Sequence, residues 1–482
     1  MENISLRKSV FWAFIESLAP QIIGFGITII LSRLLTPGDY GLIGMLALFI
    51  AFAQLFSDLG MSQALIQRKS NSADDETSVF YLNILIGMMI MFFLIIISPA
   101  VALFFDEPKL KNILSVLAVG YFLSSFGIVQ NALFNRNLDF KKIAIVSVIN
   151  TIITGITGIS FALFGFGVWS LVYASLAGII ARVFSLWILS DWRPNGVWSK
   201  DSIKSIWKFS GNILGAGLFT TFVDNLANIL IGKSYSASSL GYYTRSFQLQ
   251  LLPVSLLTGV LNKVAFPVFS RNQDNKILLL HHLRKSVKLS VFAITFVCAL
   301  LFLTAKSLIP FLFGNQWLNS IHYLEILAFA GIFYPMNVLL ITLIKSTGRS
   351  DLFLKVEIIK KIIIMVALFI ASTFSIEAMA WSLVFTGFIA YLFNASFAIP
   401  LVNYNWKLQF FDVLPAILLF TIATVLTFFL SKLYTNIDNI LQIIFTSFIF
   451  VVIIFPFFYL FRKNYFNDIW ELLIEVVNKV KR

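Results

Sequence analysis

Ser78-Val-Phe-Tyr-Leu-Asn-Ile-Leu-Ile-Gly-Met-Met-Ile-Met-Phe-Phe-Leu-Ile-Ile-Ile-Ser-Pro-Ala-Val-Ala-Leu-Phe104 runs for 27 residues without a charged side chain. Wound as an α-helix, a run of that length is about 40 Å long, ample for a bilayer core that takes ~20 apolar residues to cross. Outward from it, apolar runs bounded by charged or turn residues recur along the whole chain. They fall at about 10–32, 41–66, 78–104, 113–134, 144–164, 168–190, 210–232, 246–269, 289–311, 321–344, 358–376, 379–400, 412–432 and 440–461. Composition agrees: 59% of the 482 residues are hydrophobic, 12% are charged and 52 are Phe. A soluble chain is roughly 45–50% apolar and about a quarter charged, so no compact soluble shape covers this much apolar surface. The expected fold class is all-α, a polytopic integral membrane protein with about 14 transmembrane helices. The run from Val10 lacks a small-residue cleavage site and is long, so it reads as a retained first helix.

The loops orient the chain. Cytoplasmic loops collect Lys and Arg. With a cytoplasmic N-terminus, alternate segments carry 27 of the 36 basic residues, against 7 on the opposite face. Both termini are therefore expected in the cytoplasm. The net charge of +13 then reflects residues beside an anionic inner leaflet and calls for no nucleic acid. The two longest stretches between spans, 191–209 and 270–288, are basic and fall on the cytoplasmic face. In the second, leucines around His281 and His282 suggest an amphipathic helix lying on the membrane.

This organisation divides the chain into an N-terminal six-helix lobe (1–190), a basic linker (191–209), a second six-helix lobe (210–400), and a terminal helix pair with a basic tail (401–482). A shift of 200 residues sets 6–42 on 206–242. It matches Lys8 with Lys208, Leu18 with Leu218, Ile29 with Ile229 and Gly41 with Gly241. Four identities over that length are close to chance for so biased a composition. An internal repeat is compatible with them.

Several chemistries are excluded. The single cysteine, Cys298, forbids an intrachain disulfide or a thiolate cluster. His281, His282 and His322 have no partners at a metal-ligand spacing, so no metal site and no cofactor are expected. There is no Walker loop, nucleophile elbow or zinc-protease motif, and the outer loops are short. No catalytic residues are expected.

The informative groups are ionisable residues inside spans, each of which costs a few kcal/mol at the bilayer centre. They are Glu16, Asp58, Arg182, Asp224 and Lys263, with Arg33 and Arg245 near the outer ends. Asp224 lies deepest, and Asn228 at i+4 shares its face; a cavity-lining role competes with a buried structural hydrogen bond. Arg182 and Lys263 lie nearer the cytoplasmic ends of their spans, where snorkelling is the alternative. Glu16 is placed to pair with either cation. Asp58, before Leu59-Gly60, suits helix packing as well as function. Together these charges point to two halves around a polar, partly cationic space. Such a space suits an anionic substrate, because Arg and Lys pair with phosphate oxygens.

Five stretches resemble polysaccharide flippases of the Wzx type. They are Leu31-Ser-Arg-Leu-Leu-Thr-Pro-Gly-Asp-Tyr-Gly41, Ser57-Asp-Leu-Gly-Met-Ser-Gln-Ala-Leu-Ile-Gln67, Ala132-Leu-Phe-Asn-Arg-Asn-Leu-Asp-Phe140, Leu240-Gly-Tyr-Tyr-Thr-Arg245 and Lys345-Ser-Thr-Gly-Arg-Ser-Asp351. The match is to the branch of colanic and teichuronic acid exporters, within the multidrug/oligosaccharidyl-lipid/polysaccharide exporter superfamily. The resemblance implies two six-helix lobes around a central cavity working by alternating access in the bacterial cytoplasmic (inner) membrane. The implied substrate is a polyprenyl-pyrophosphate-linked oligosaccharide, turned from the inner to the outer leaflet for cell-surface polysaccharide biosynthesis. The implied partners are membrane lipids, with a polysaccharide polymerase and glycosyltransferases as neighbours; the transporter is expected to be a monomer. A coupling ion, H+ or Na+, is left open. Asn135 before Arg136 departs from the family, where two basic residues are common.

The substrate-binding candidates are thus Arg182, Lys263, Asp224, Glu16 and Asn228. The lobe-entrance candidates are Arg33, Arg245, Asp58 and Arg136. The competing readings are a cation-coupled drug or metabolite antiporter of the same superfamily, which would favour acidic cavity residues, and an integral-membrane polysaccharide polymerase or ligase, which would need a sizeable outer loop. A non-transporting scaffold would leave the buried charges unexplained.

Overall fold

The computed structural model describes residues 2–58, 61–67, 71–434 and 437–460. Among them there is no strand, and the order of helices is α1 (Glu2–Leu34), α2 (Pro37–Met45), α3 (Ala47–Asp58), α4 (Met61–Gln67), α5 (Ala73–Phe105), α6 (Lys109–Ser124), α7 (Ile128–Arg136), α8 (Phe140–Leu163), α9 (Val168–Leu189), α10 (Lys200–Ser234), α11 (Ala237–Arg271), α12 (Lys276–Phe313), α13 (Ser320–Ser346), α14 (Ser350–Ser372), α15 (Ile376–Val402), α16 (Trp406–Ser431) and α17 (Asn439–Leu460). The basic tail read from the sequence lies outside the described residues.

Polar residues set the helix starts, because the first turn of a helix has N–H groups without intrahelical partners. Ser72 accepts from the Asp75 N–H at 3.1 Å while Asp75 accepts from the Ser72 N–H at 3.1 Å, a reciprocal cap on α5. Asn275, Ser375 and Asn405 accept in the same way from the third residue of α12, α15 and α16. Between α13 and α14, Gly348 takes φ +74, a left-handed turn that suits glycine. Beside it, Arg349 Nε and Nη2 each donate to an Asp351 carboxylate oxygen at 3.1 Å. The guanidinium holds the Asp351 carboxyl below its ordinary range, which accounts locally for the Lys345–Asp351 motif.

Every span read from the sequence coincides with one or more helices. Among the described residues, eleven helices are long and apolar enough to cross a membrane, or twelve if α2 and α3, bent by 46°, are one span. The expected count of about 14 is not reached on that measure. Of the spans read from the sequence, α14 falls short because it carries Lys355, Glu357, Lys360 and Lys361, and α10 lies partly outside the residues this measure covers. The chain is a multi-pass, all-helical membrane protein.

Contacts divide it into two compact units, residues 1–241 and 242–482. In the first, α8 packs on α1 and α9, α6 on α5 and α9, and α10 on α3 and α5. The helix α10, which the sequence reading groups with the second lobe, therefore packs in the first unit. In the second, α12 packs on α13, α16 and α17, and α15 on α13 and α14. The terminal pair is joined to α12 by ring contacts, Phe296 stacked on Phe450 at 5.7 Å and Phe292 tilted against Phe420 at 5.0 Å.

Two loop expectations change. The segment around His281 and His282 is not a separate surface helix. It is the first part of α12, which runs unbroken for 38 residues, with Leu279, Leu283 and Val287 fully buried in the core of the second unit. The stretch 191–209 is likewise not a free linker. Residues 200–209 belong to α10, and the segment before them is strapped across the start of α5. The Gly196 N–H donates to Thr77 Oγ1 at 3.0 Å, Val197 N–H to Asp74 Oδ1 at 2.7 Å and Ser199 N–H to Ser78 Oγ at 2.8 Å. A Cβ on Gly196 would overlap the Ala73 carbonyl. Gly196→Ala is expected to lower stability by about 1–3 kcal/mol through overpacking, read as a lower melting temperature in detergent.

Candidate functional site

Within the first unit, α7, α8 and α9 turn polar residues toward one another at helical spacing. Asn131 and Asn135 on α7 are one turn apart, as are Ser147, Asn150 and Thr154 on α8, and Gly178 and Arg182 on α9. They surround two adjoining cavities, of about 660 Å³ and about 290 Å³. Asn131, Asn150 and Arg182 line both. The larger extends past Gln54, Ser57, Tyr121 and Ser124. The smaller is closed on α1 by Glu16.

Arg182 is the cation of this space. Among the described residues it makes no hydrogen bond and no ion pair. Glu16, on the same cavity wall, is not within ion-pair distance of it. The guanidinium is exposed to the cavity, so its N–H donors are placed to take an anion that enters. The wall around it carries amides and hydroxyls, each able to donate and accept, among apolar side chains such as Leu171, Ile179 and Leu186. An anionic group with hydroxyl-bearing neighbours is the chemistry this cavity fits. The space depends on Gly178, whose Cβ would overlap Thr154 Oγ1 and lie 2.7 Å from Asn150 Oδ1. Gly178→Ala is expected to displace both side chains from the cavity wall and cost about 1–3 kcal/mol, visible as a drop in melting temperature.

The other sequence candidates are dispersed. Asp224 is exposed on α10 and Asn228 half-buried beside it, and neither lines these cavities. Lys263 is exposed on α11 in the second unit. Arg33 is exposed at the end of α1. The side chain of Asp58 lies outside the described residues. Arg136 faces Glu76 at 3.9 Å, within the strapped region. Arg245 does not sit at an entrance: it is 4% exposed, its guanidinium 5.6 Å from the ring centres of both Phe313 and Trp317 and its Nη1 donating to Gln248 Oε1 at 3.2 Å. An aromatic pocket of this kind stabilises an Arg without solvent.

The neutral residues of the cavity escaped the sequence reading, which weighed only charges. The Asn131/Asn135 and Ser147/Asn150/Thr154 spacings were the signal available. A second omission is a buried network in the other unit. Asp412, 1% exposed, accepts from Arg284 Nε at 2.7 Å and Nη2 at 2.8 Å, and from the Tyr404 hydroxyl at 3.1 Å. Lys288 Nζ lies 3.8 Å from its other oxygen. The sequence reading counted these cations as loop charges.

In sequence, the chain is 23% identical to the teichuronic acid biosynthesis protein TuaB of Bacillus subtilis, over 71% of each chain. It is 23% identical to the succinoglycan biosynthesis transport protein ExoT of Rhizobium meliloti, over 91% of this chain and 90% of that one. It is also 23% identical to the lipopolysaccharide biosynthesis protein WzxC of Escherichia coli, over 76% of each. In fold it is similar to a lipid II flippase, MurJ, in an inward closed conformation: TM-score 0.76 at 14% identity, covering 93% of this chain and 98% of that one. An inward-facing MATE multidrug transporter of the MOP superfamily aligns with TM-score 0.67 at 15% identity, over 81% and 98%. The family described as polysaccharide biosynthesis protein matches residues 30–322, more than half of the chain, and the chain belongs to that family.

Proposed function

We propose that this protein is a flippase of the bacterial cytoplasmic membrane. It turns a polyprenyl-pyrophosphate-linked oligosaccharide from the inner to the outer leaflet by alternating access, for cell-surface polysaccharide biosynthesis. The observation that carries the reading is Arg182, a guanidinium with no ion-pair partner among the described residues, in a cavity whose wall carries amides and hydroxyls. The pyrophosphate is the anion that Arg182 holds, and the sugar hydroxyls meet Asn131, Asn150 and their neighbours. The lipid tail stays in the bilayer. Relatives named for teichuronic acid, succinoglycan and lipopolysaccharide biosynthesis support the substrate class, and a fold shared with a lipid II flippase supports the mode of transport. The excess of Lys and Arg on alternate loops favours cytoplasmic termini. Glu16, beside Arg182, is the acidic group placed to respond to a coupling ion. Lys263, outside the described cavities, is expected to matter less than Arg182.

The test is purified protein in liposomes containing a fluorescent polyprenyl-pyrophosphate oligosaccharide built from the host's own repeat unit. An impermeant quencher reports the fraction in each leaflet. Protein-dependent translocation is expected. Its absence under every imposed H+ and Na+ gradient overturns the reading.

A further inference from the structure

At helical spacing along α12, Thr295, Cys298 and Phe302 share one face, and Lys306 continues it. Along α16, Thr421, Val425 and Phe428 do the same, and Lys432 follows in the next turn. Between these two faces lies a cavity of about 210 Å³, closed on a third side by Phe329 and Ile332 of α13. Apart from three threonines its lining is apolar. All of these residues belong to the second unit, and none lines the cavities around Arg182. The slot opens at the protein surface, where Phe329 and Val425 on its rim are 39% and 47% exposed. Apolar cavities of about 150 Å³ stay dry and take up apolar molecules, so what enters this one from a bilayer is hydrocarbon.

One turn beyond Phe302 the chemistry changes. The Phe302 ring lies 6.5 Å from that of Phe428, and two ammonium groups converge on Phe428: Lys306 Nζ at 6.0 Å and Lys432 Nζ at 5.3 Å. Both lysines are exposed, and neither makes an ion pair among the described residues. They are also among the few basic residues on the face opposite the basic loops. Two cations held at one ring without an ion-pair partner are complementary to a phosphate. The spacing fits as well. From Thr295 to Lys306 the helix rises about 16 Å, roughly half of a ~30 Å hydrocarbon core. That is the depth of one leaflet, so the apolar slot and the two cations are related as a lipid's chain is to its headgroup.

We infer that this slot holds an anionic phospholipid of the leaflet opposite the basic loops. One acyl chain lies between α12, α13 and α16, and the phosphate sits between Lys306 and Lys432. The site goes beyond the transport reading and does not depend on it.

Cys298, the single cysteine, lines the slot and reports on it. The purified full chain, stripped of lipid in detergent, is treated with N-ethylmaleimide alone, with phosphatidylglycerol present, or with phosphatidylcholine of the same chains present. Phosphatidylglycerol is expected to slow the labelling of Cys298 at least about tenfold more than phosphatidylcholine, because two lysines act on one phosphate. In the double variant Lys306→Gln and Lys432→Gln, the two lipids should protect equally little. The control Lys109→Gln and Lys111→Gln removes the same charge from exposed positions of the first unit and should behave as the wild type. Equal labelling with and without phosphatidylglycerol, no labelling at all included, overturns the site. So does undiminished protection in the Lys306 and Lys432 variant, or a matching loss in the control. A polyprenyl phosphate that protects better than phosphatidylglycerol assigns the slot to the carrier lipid and overturns the phospholipid.

Discussion

Arg182→Ala is expected to reduce translocation of the lipid-linked oligosaccharide by about tenfold to a hundredfold. A hydrogen bond to a charged group contributes about 1.5–3 kcal/mol, and every 1.4 kcal/mol is about a factor of ten. The same substitution should leave the melting temperature unchanged. Arg182 is exposed to the cavity and makes no hydrogen bond or ion pair among the described residues, so its removal breaks no protein contact. This combination separates a binding role from a structural one: a structural arginine would lower stability when removed. Arg182→Lys should recover part of the activity, because the charge is kept while the planar fork that grips two phosphate oxygens is lost. Equal translocation by the wild-type and Ala proteins, measured in the same liposomes, would remove Arg182 from the substrate site.

The largest effect on stability is expected from Asp412→Ala. It leaves Arg284 and Lys288 without the buried carboxylate they face, and Tyr404 without its acceptor. Breaking a buried ion pair by removing one partner costs about 3–5 kcal/mol. The cost falls on the packing of α12 against α16, so a clear drop in melting temperature and lower yield from the membrane are expected. Asp412→Asn keeps the shape and an acceptor for Tyr404 but not the charge, and should fall between. A triple variant, Arg284→Leu, Lys288→Met and Asp412→Leu, removes all three charges together and should recover most of the loss, since apolar replacement of a whole buried network is often neutral. If Asp412→Ala melts with the wild type, the network is not what fastens α16 to α12.

The cavity shows how far residue type alone carries. Arg182 and Glu16 stood out in the sequence because charge is rare in a membrane span, and the structure places both on one cavity wall. Asn131 and Asn150 are equally part of that wall but are common helix-surface residues, and which face they turn depends on the packing of α7 and α8. Arg245 was conspicuous for the same reason as Arg182, yet it is held between Phe313 and Trp317. These rings lie 68 and 72 residues further along the chain, a pairing no local pattern reveals. Arg284 and Lys288 were read as loop charges because their partner, Asp412, is more than a hundred residues away.

The sequence by itself determined that the chain crosses the membrane many times as helices. In a bilayer every backbone polar group must be satisfied within its own segment, so local apolar length is enough to place the spans. It also located the resemblance to polysaccharide flippases, which rests on short contiguous motifs. Only the tertiary structure decided which faces those helices turn to one another. It placed α10 in the first unit, made the beginning of α12 part of a core and strapped residues 196–199 over α5. The physical reason is that helix–helix packing in a membrane has little hydrophobic patterning to direct it. It depends on close fit, on small residues and on a few long-range polar pairs, and these are properties of two surfaces together.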